Sequence, residues 1–234
     1  MLSRLLKSLQ PREGHFDRES ASYERLRARG FAPDAIIDVG AYEGHWARNA
    51  RRIFGPGVPV LMVEPQAAKR VALARVCADM ANTSHAPHVL SARAGDTVTF
   101  YEMETGSSLM PERSDAPRIE VRHVTETLDA IAPPGEALFL KIDAQGAELQ
   151  ILAGGGATLA RCALVQLEAG VAHYNEGAPT LREVLAFMEE RGFRMIDIAG
   201  RSRIQGMLVQ IDLLFVPEGS PLLRDYFAFG SGDG

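Results

Sequence analysis

Four acidic residues close four short apolar runs in this chain: Asp38 in AIIDV, Glu64 in PVLMVE, Asp143 in ALFLKID and Glu168 in ALVQLE. The runs themselves are otherwise almost purely apolar, so the four acids form a set rather than a scatter of loop residues. The first stands in a glycine turn, DVGAYEG, with Gly40 and Gly44 four positions apart in a D-x-G-x-x-x-G pattern. Glycines between a buried strand and a helix let backbone approach a nucleotide closely. The dinucleotide fingerprint G-x-G-x-x-G has three glycines, and this turn has two. A pyrophosphate at the helix N-terminus would also meet the negative charge of Asp38 and Glu43. Glu64 lies near the ~20-residue offset at which an acid meets an unphosphorylated ribose. A ligand with adenine, a ribose diol and a cationic amino-acid tail suits these residues; S-adenosylmethionine has that chemistry.

Such residues need a scaffold, and the patterning supplies one. AIIDV (35–39), PVLMVE (59–64) and HVLSA (88–92) read as buried strands, with helices over 44–54 and 66–80. Trp46, Ala50 and Ile53 share one apolar helical face, which places Trp46 in the core rather than on a cofactor. Residues 97–124 break the alternation with two antiparallel strands, TVTFYEM and RIEVRHV, around a polar loop. Then follow ALFLKID (137–143), a helix over 146–160 and ALVQLE (163–168). Thr180 and Glu183 form a capping box for the next helix, which Gly192 closes. FRMIDI (193–198) and QIDLLFV (210–216) end the pattern as a hairpin around a loop containing GRSRIQG. Apolar strands alternating with helices imply a doubly wound α/β fold, a mostly parallel Rossmann-like sheet covered on both faces. Its ligand belongs beyond the carboxyl ends of the strands.

Length and charge narrow the function. A chain of 234 residues suits one large domain; the expected division is a helical lead-in at 1–30, a single domain over 31–217 and a tail over 218–234. A net charge of −5 argues against a nucleic-acid surface. Cys77 and Cys162 sit among apolar neighbours with no CxxC, so two buried thiols and a reducing cytoplasm are expected. MLSRLLKSLQ spaces Leu2, Leu5, Leu6 and Leu9 as a helix face that docks on its own domain or a partner, and it lacks the apolar core of a secretory signal. No run reaches the ~20 apolar residues of a membrane span.

At this point the chain resembles the FkbM family of class I S-adenosylmethionine-dependent methyltransferases. Seven segments carry the resemblance in order: IIDVGAYEGHWA, VPVLMVEPQ, ETGSSL, VTETLDAI, LKIDAQGAELQIL, VQLE and QIDLLFV. The fifth, close to the family's K-I-D-x-E-G-A-E pattern, is the most distinctive. The resemblance implies a seven-stranded class I methyltransferase fold and S-adenosylmethionine as cofactor, leaving as S-adenosylhomocysteine. Two positions depart from the pattern: Tyr42 stands where Asn is common, and Gln145 where Glu is common.

The resemblance and the positions together imply roles. Asp38, Gly40, Ala41, Tyr42 and Gly44 would line the methionine and ribose side. Glu64 would hold the ribose hydroxyls, with Pro65 and Gln66 beside it, and Ser91 and Ala92 would approach the adenine. Asp143 is the expected base or acceptor-orienting group, with Glu148, Glu168 and His173 as further catalytic candidates. Each has a plainer reading: Glu148 at a helix N-terminus, Lys141 and Asp143 as an ion pair on one strand face, His173 as a surface loop residue. Asp143, Glu148 and Glu168 could offer oxygen ligands to Mg²⁺, but no spacing resembles a dedicated cage and no metal is expected. The expected reaction is O-methylation of a sugar or specialised metabolite. An NAD-binding oxidoreductase and a non-catalytic binding protein are the competing readings.

Overall fold

The computed structural model describes residues 15–103, 107–110, 118–172 and 175–224. Helix α1 (His15–Ala28) leads into β1 (Ala35–Val39), α2 (His45–Phe54), β2 (Val60–Val63), α3 (Arg70–Asp79), β3 (Thr83–Ala86) and β4 (Val89–Leu90). After β5 (Thr97–Glu102) and β6 (Ile119–Glu126) come α4 (Leu128–Ile131), β7 (Leu138–Ile142), α5 (Glu148–Ala153), α6 (Gly156–Leu159) and β8 (Cys162–Gly170). Helix α7 (Leu181–Glu189) precedes the hairpin of β9 (Phe193–Ile204) and β10 (Met207–Pro217).

Among the described residues, seven strands form one sheet in the order β3-β2-β1-β7-β8-β10-β9. Strands β1, β2, β3, β7 and β8 run parallel, and β10 lies antiparallel between β8 and β9. The chain winds one way from β1 and the other way from β7, so the switch point of the sheet falls between these two strands. Their five residues each are wholly buried, as a central strand covered on both faces requires. This is the expected doubly wound fold with its C-terminal hairpin.

One sheet face packs Ile37, Val39, Leu140, Ile142 and Leu167 against Ile151, Val184 and Met188. The other packs Ile36, Phe139, Leu164 and Leu214 against Tyr23, Trp46 and Leu73. On that face the Phe139 ring lies 5.3 Å from Tyr23 and 5.4 Å from Trp46, both edge-to-face. Such pairs add about 0.5–1.5 kcal/mol each beyond their buried area, and here they bind α1, through Tyr23, and α2, through Trp46, to the sheet.

Several boundaries differ from the expected ones, each for a physical reason. The third strand of the main sheet is Thr83–Ala86, not 88–92. It is an edge strand paired on one side only, so it needs no apolar run. Val89 and Leu90 instead pair with Thr125 and Glu126, in a small sheet of order β4-β6-β5. The helix expected over 146–160 breaks at Gly154, where a Cβ would meet the Ser91 carbonyl oxygen at 2.2 Å. The closing hairpin runs further than expected, to a two-residue turn at Gln205 and Gly206, both at positive φ. Its added residues interleave Gly200, Arg201, Ser202 and Arg203 with scattered apolar positions, so they carry no regular strand alternation. The Thr180 and Glu183 capping box is present as expected. No helix among the described residues is long and apolar enough to cross a membrane. The Leu2 to Leu9 stretch lies outside the described residues.

Candidate active site

At the switch point the carboxyl ends of β1, β2 and β7 surround a cleft of about 420 Å³, lined by Gly40, Glu64, Pro65, His88, Leu90 and Asp143 among others. Its floor depends on Gly40. The residue has φ +76°, and a Cβ there would sit 1.9 Å from the Asp143 carbonyl oxygen. The turns that leave β1 and β7 thus approach at a separation that only glycine permits. Gly40 N–H donates to Val63 O and Asp143 N–H donates to Val39 O, both at 3.0 Å, which ties the three strand ends together.

The Glu64 carboxylate accepts Tyr42 N–H on one oxygen at 2.9 Å and Gln66 N–H on the other at 3.0 Å. Burial pushes this carboxyl above its ordinary range, and the two amide donors pull it partly back. Each oxygen keeps a lone pair, and two adjacent acceptors on one carboxylate match a vicinal diol. None of the described residues lining the cleft is Lys or Arg, so no cationic side chain there would offset the charge of a pyrophosphate. The donor set fits a nucleoside with an unphosphorylated ribose.

Tyr42 contributes its backbone to this site. It adopts φ 49°, uncommon for a bulky residue, and its ring lies under the Lys69 ammonium at 3.7 Å. Lys69 also pairs with Glu43 at 3.1 Å. The Tyr42 side chain is not among the cleft-lining groups.

Beneath the cleft, Asp38 and Lys141 face each other across β1 and β7 at 3.0 Å, with Asp38 wholly buried. The Lys141 ammonium also donates to Gly40 O at 3.2 Å and stands 3.6 Å from Asp143. Burial opposes its charge, but Asp38 and Asp143 outweigh burial and hold it protonated. Asp38 is therefore a support under the floor, because strand alternation turns it to the α1 and α2 face while Val39 meets the cleft, as does Gly40 in the turn beyond the strand.

The turn after β7 links the cleft to a second cavity of about 380 Å³, lined by Gln145, Glu148, Glu168, Ala172, Asn175 and Val184 among others. Asp143, with its side chain 36% exposed, faces the cleft. Glu168 faces the second cavity. Gln145 Nε2 donates to Asp143 Oδ1 at 3.0 Å and to Glu168 Oε2 at 2.7 Å. Glu148 is buried and accepts Ala144 N–H and Gly146 N–H on a single oxygen, both at 3.0 Å, so it braces the turn.

Three acids behind this turn are held above their ordinary range. Burial raises Glu148 to about 7 against its backbone donors. Burial, then Glu19 and Asp143, raise Asp212 to about 8. Burial, then Asp143, Asp212 and Glu148, raise Glu168. The folded protein therefore holds protons that the unfolded chain has lost, from the ordinary carboxyl range up to pH 7–8. Stability falls as pH rises through that window. Melting temperature should drop by roughly 5–10 °C between pH 5.5 and pH 8.5. Glu148→Gln keeps an oxygen for both backbone donors and should flatten the profile; scanning calorimetry across that range checks both expectations.

The other expected site residues fall as follows. Ala41 is buried and donates its N–H to Val63 O, and Gln66 is buried with its N–H on Glu64. Gly44, at φ +75°, begins α2 and faces Met62 and Val76 in the core. Ser91 and Ala92 pack against Gly154, and His88 and Leu90 reach the cleft in their place. His173 lies outside the described residues. Among the described residues no group of three or more His, Cys, Asp or Glu is arranged to hold a metal ion. Residue-by-residue reading also missed Ser107 and Leu109, which line the cleft. Their signal was the serine pair: Ser108 Oγ donates to Gln145 O at 2.9 Å and fastens that segment to the turn.

The Methyltransferase FkbM domain profile matches residues 38–195. Magnesium protoporphyrin IX methyltransferase from Synechocystis PCC 6803, solved with bound SAM, is 9% identical over 87% of this chain and 80% of its own, with a TM-score of 0.51. The same enzyme with bound SAH gives a TM-score of 0.52 at 9% identity, over 87% of this chain and 83% of its own. Precorrin-6y C5,15-methyltransferase from Geobacter metallireducens GS-15 is 14% identical over 90% of each chain, with a TM-score of 0.49. No curated protein matches the sequence. The fold is shared with the solved magnesium protoporphyrin IX methyltransferase, and the profile spans more than half of the chain: this protein belongs to the FkbM family of S-adenosylmethionine-dependent methyltransferases.

Proposed function

We propose that the protein methylates a hydroxyl oxygen of a sugar or specialised metabolite, with Asp143 as the base and the second cavity as the acceptor's seat. The observation that carries this reading is the pair of carboxylates joining two cavities, Asp143 at the cleft and Glu168 at the cavity beyond. An alcohol must lose a proton as it attacks, and a positioned base contributes about 10²–10⁴-fold. When bound, the cofactor supplies a methyl activated by its sulfonium. Glu64 accepts the ribose hydroxyls, Gly40 admits the cofactor against the backbone, and His88 with Leu90 flanks the adenine. Asp143 takes the acceptor proton, Glu168 orients the acceptor, and Glu148 keeps the turn closed.

Isothermal titration with S-adenosylhomocysteine tests the cofactor half. Glu64→Ala should weaken binding by roughly 10–100-fold, the loss of hydrogen bonds to a charged group, while thermal unfolding stays cooperative. Unchanged affinity would remove Glu64 from the ribose role. Transfer of labelled methyl into a panel of glycosides and hydroxylated metabolites tests the other half. Asp143→Asn should lower turnover by about 10²–10⁴-fold with S-adenosylhomocysteine affinity retained. Label entering only amines or carbon would overturn O-transfer.

A further inference from the structure

We infer that Gln145 is a positioning residue, whose carboxamide holds Asp143 of the cofactor cleft and Glu168 of the second cavity together as one hydrogen-bonded unit. The inference rests on the reading of Asp143 as the base. Gln145 sits at the apex of the turn in the left-handed region, φ 51°, a conformation that few non-glycine residues adopt. Its backbone is fastened from two sides, because its carbonyl accepts Asn175 Nδ2 and the Ser108 hydroxyl. From that fixed point Nε2 directs one hydrogen to Asp143 Oδ1 at 3.0 Å and the other to Glu168 Oε2 at 2.7 Å. The carbonyl end of the same amide faces Gln210 Nε2 at 3.5 Å. The orientation of the amide is thus set by contacts at both ends.

An amide is the one uncharged group of this length with two N–H donors on a single atom. A hydrocarbon here would leave Asp143 and Glu168 to share a proton with each other, the contact that already helps raise Glu168. A carboxylate would add a third negative group. The surroundings make that choice matter. From β7 itself, Lys141 stands 3.6 Å from Asp143. Glu148 of α5 and Asp212 of β10 act on Glu168, while Asp38 of β1 and Glu19 of α1 act on Lys141 from behind. With acids arriving from four further elements, the doubly ionised state of Asp143 and Glu168 is the one that most needs the amide. Two interacting acids titrate as a pair, in two steps that belong to both. The Gln145 amide donates to both carboxylates, so it favours the state in which both are charged and lowers the upper step of the pair.

The test is a carboxyl ¹³C NMR titration of the protein saturated with S-adenosylhomocysteine, with the two resonances assigned from Asp143→Asn and Glu168→Gln. In the wild type the two resonances should move together in two steps. Gln145→Leu should raise the upper step by about one pH unit, and Gln145→Glu should raise it further. Affinity for S-adenosylhomocysteine should change by less than about threefold in both variants, since neither touches Glu64 or Gly40. Gln145→Glu is nearly isosteric, so it serves alone if Gln145→Leu does not fold. Upper steps within about 0.3 pH units of wild type in the folded variants, or independent titration of the two acids in the wild type, would overturn the inference. Failure of the wild type to bind S-adenosylhomocysteine would strike the cofactor reading instead.

Discussion

Gly40→Ala is expected to destabilise the protein by about 3 kcal/mol or more and to abolish S-adenosylhomocysteine binding. Two penalties add. An alanine at φ +76° enters the left-handed region at about 1–2 kcal/mol. Its Cβ would also stand 1.9 Å from the Asp143 carbonyl oxygen, a backbone atom that cannot swing aside. Asp143 N–H is bonded to Val39 O, and β1 is in register with β7 over its whole length. Relief would require prying apart the two central strands at the place where the cofactor cleft opens. Two other glycines give the scale. Gly44→Ala would meet only side-chain atoms, Met62 Sδ and Val76 Cγ2 at 3.0 Å, and should cost about 1–2 kcal/mol. Gly95→Ala has positive φ but open space and should cost about 1 kcal/mol. Urea unfolding of the three variants measures the order directly. A Gly40→Ala protein as stable as Gly95→Ala would mean that the approach of the two turns is looser than described.

The second large effect is expected at Lys141. Lys141→Met should destabilise by about 3–5 kcal/mol, because it strands a wholly buried Asp38 carboxylate. Asp38 Oδ2 already has no hydrogen-bond partner among the described residues, so the ammonium on Oδ1 is its main compensation. The reverse change is milder: in Asp38→Asn the ammonium keeps Gly40 O and the neighbouring Asp143. Combining Asp38→Asn with Lys141→Met should recover at least ~1–2 kcal/mol of the loss, the coupling a double-mutant cycle isolates. Strict additivity of the two changes would show that the ion pair contributes nothing. The cycle also bears on the site, since Lys141 is the cation beside Asp143.

Much of this was legible in the chain. The buried strands β1, β2, β7 and β8 announce themselves as apolar runs with acids at their ends. Those acids do gather at one edge of the sheet, because parallel strands point their carboxyl ends the same way. Glu64 and Asp143 reached the cleft for that reason. The T-x-x-E box at Thr180 opened its helix because capping is a local interaction of three residues. Trp46 went to the core through helical periodicity alone, with its indole N–H on Glu19 at 2.9 Å.

What escaped the sequence depended on distant partners. Thr83–Ala86 is a strand only because β2 offers it an edge. Asp38 and Gly40 are two residues apart in one motif, yet Asp38 is sealed beneath the floor within β1 while Gly40 leaves the strand at φ +76° and lines the cleft. Ser91 and Ala92 are turned away by Gly154, which lies 62 positions or more further along the numbering. Gln145 reads in the sequence as a lost carboxylate, and in the fold as a donor shared by two.

By itself, then, the order of residues determined the layers, the direction of the sheet and the edge at which chemistry would gather. These follow from local periodicity and from solvent's exclusion of apolar strands, which any stretch of chain carries with it. Only the tertiary structure decided which acids face the cleft, which are sealed beneath it and which are tied to one another. Those outcomes turn on contacts between strands far apart in the chain, and on a separation at Gly40 too small for one carbon atom.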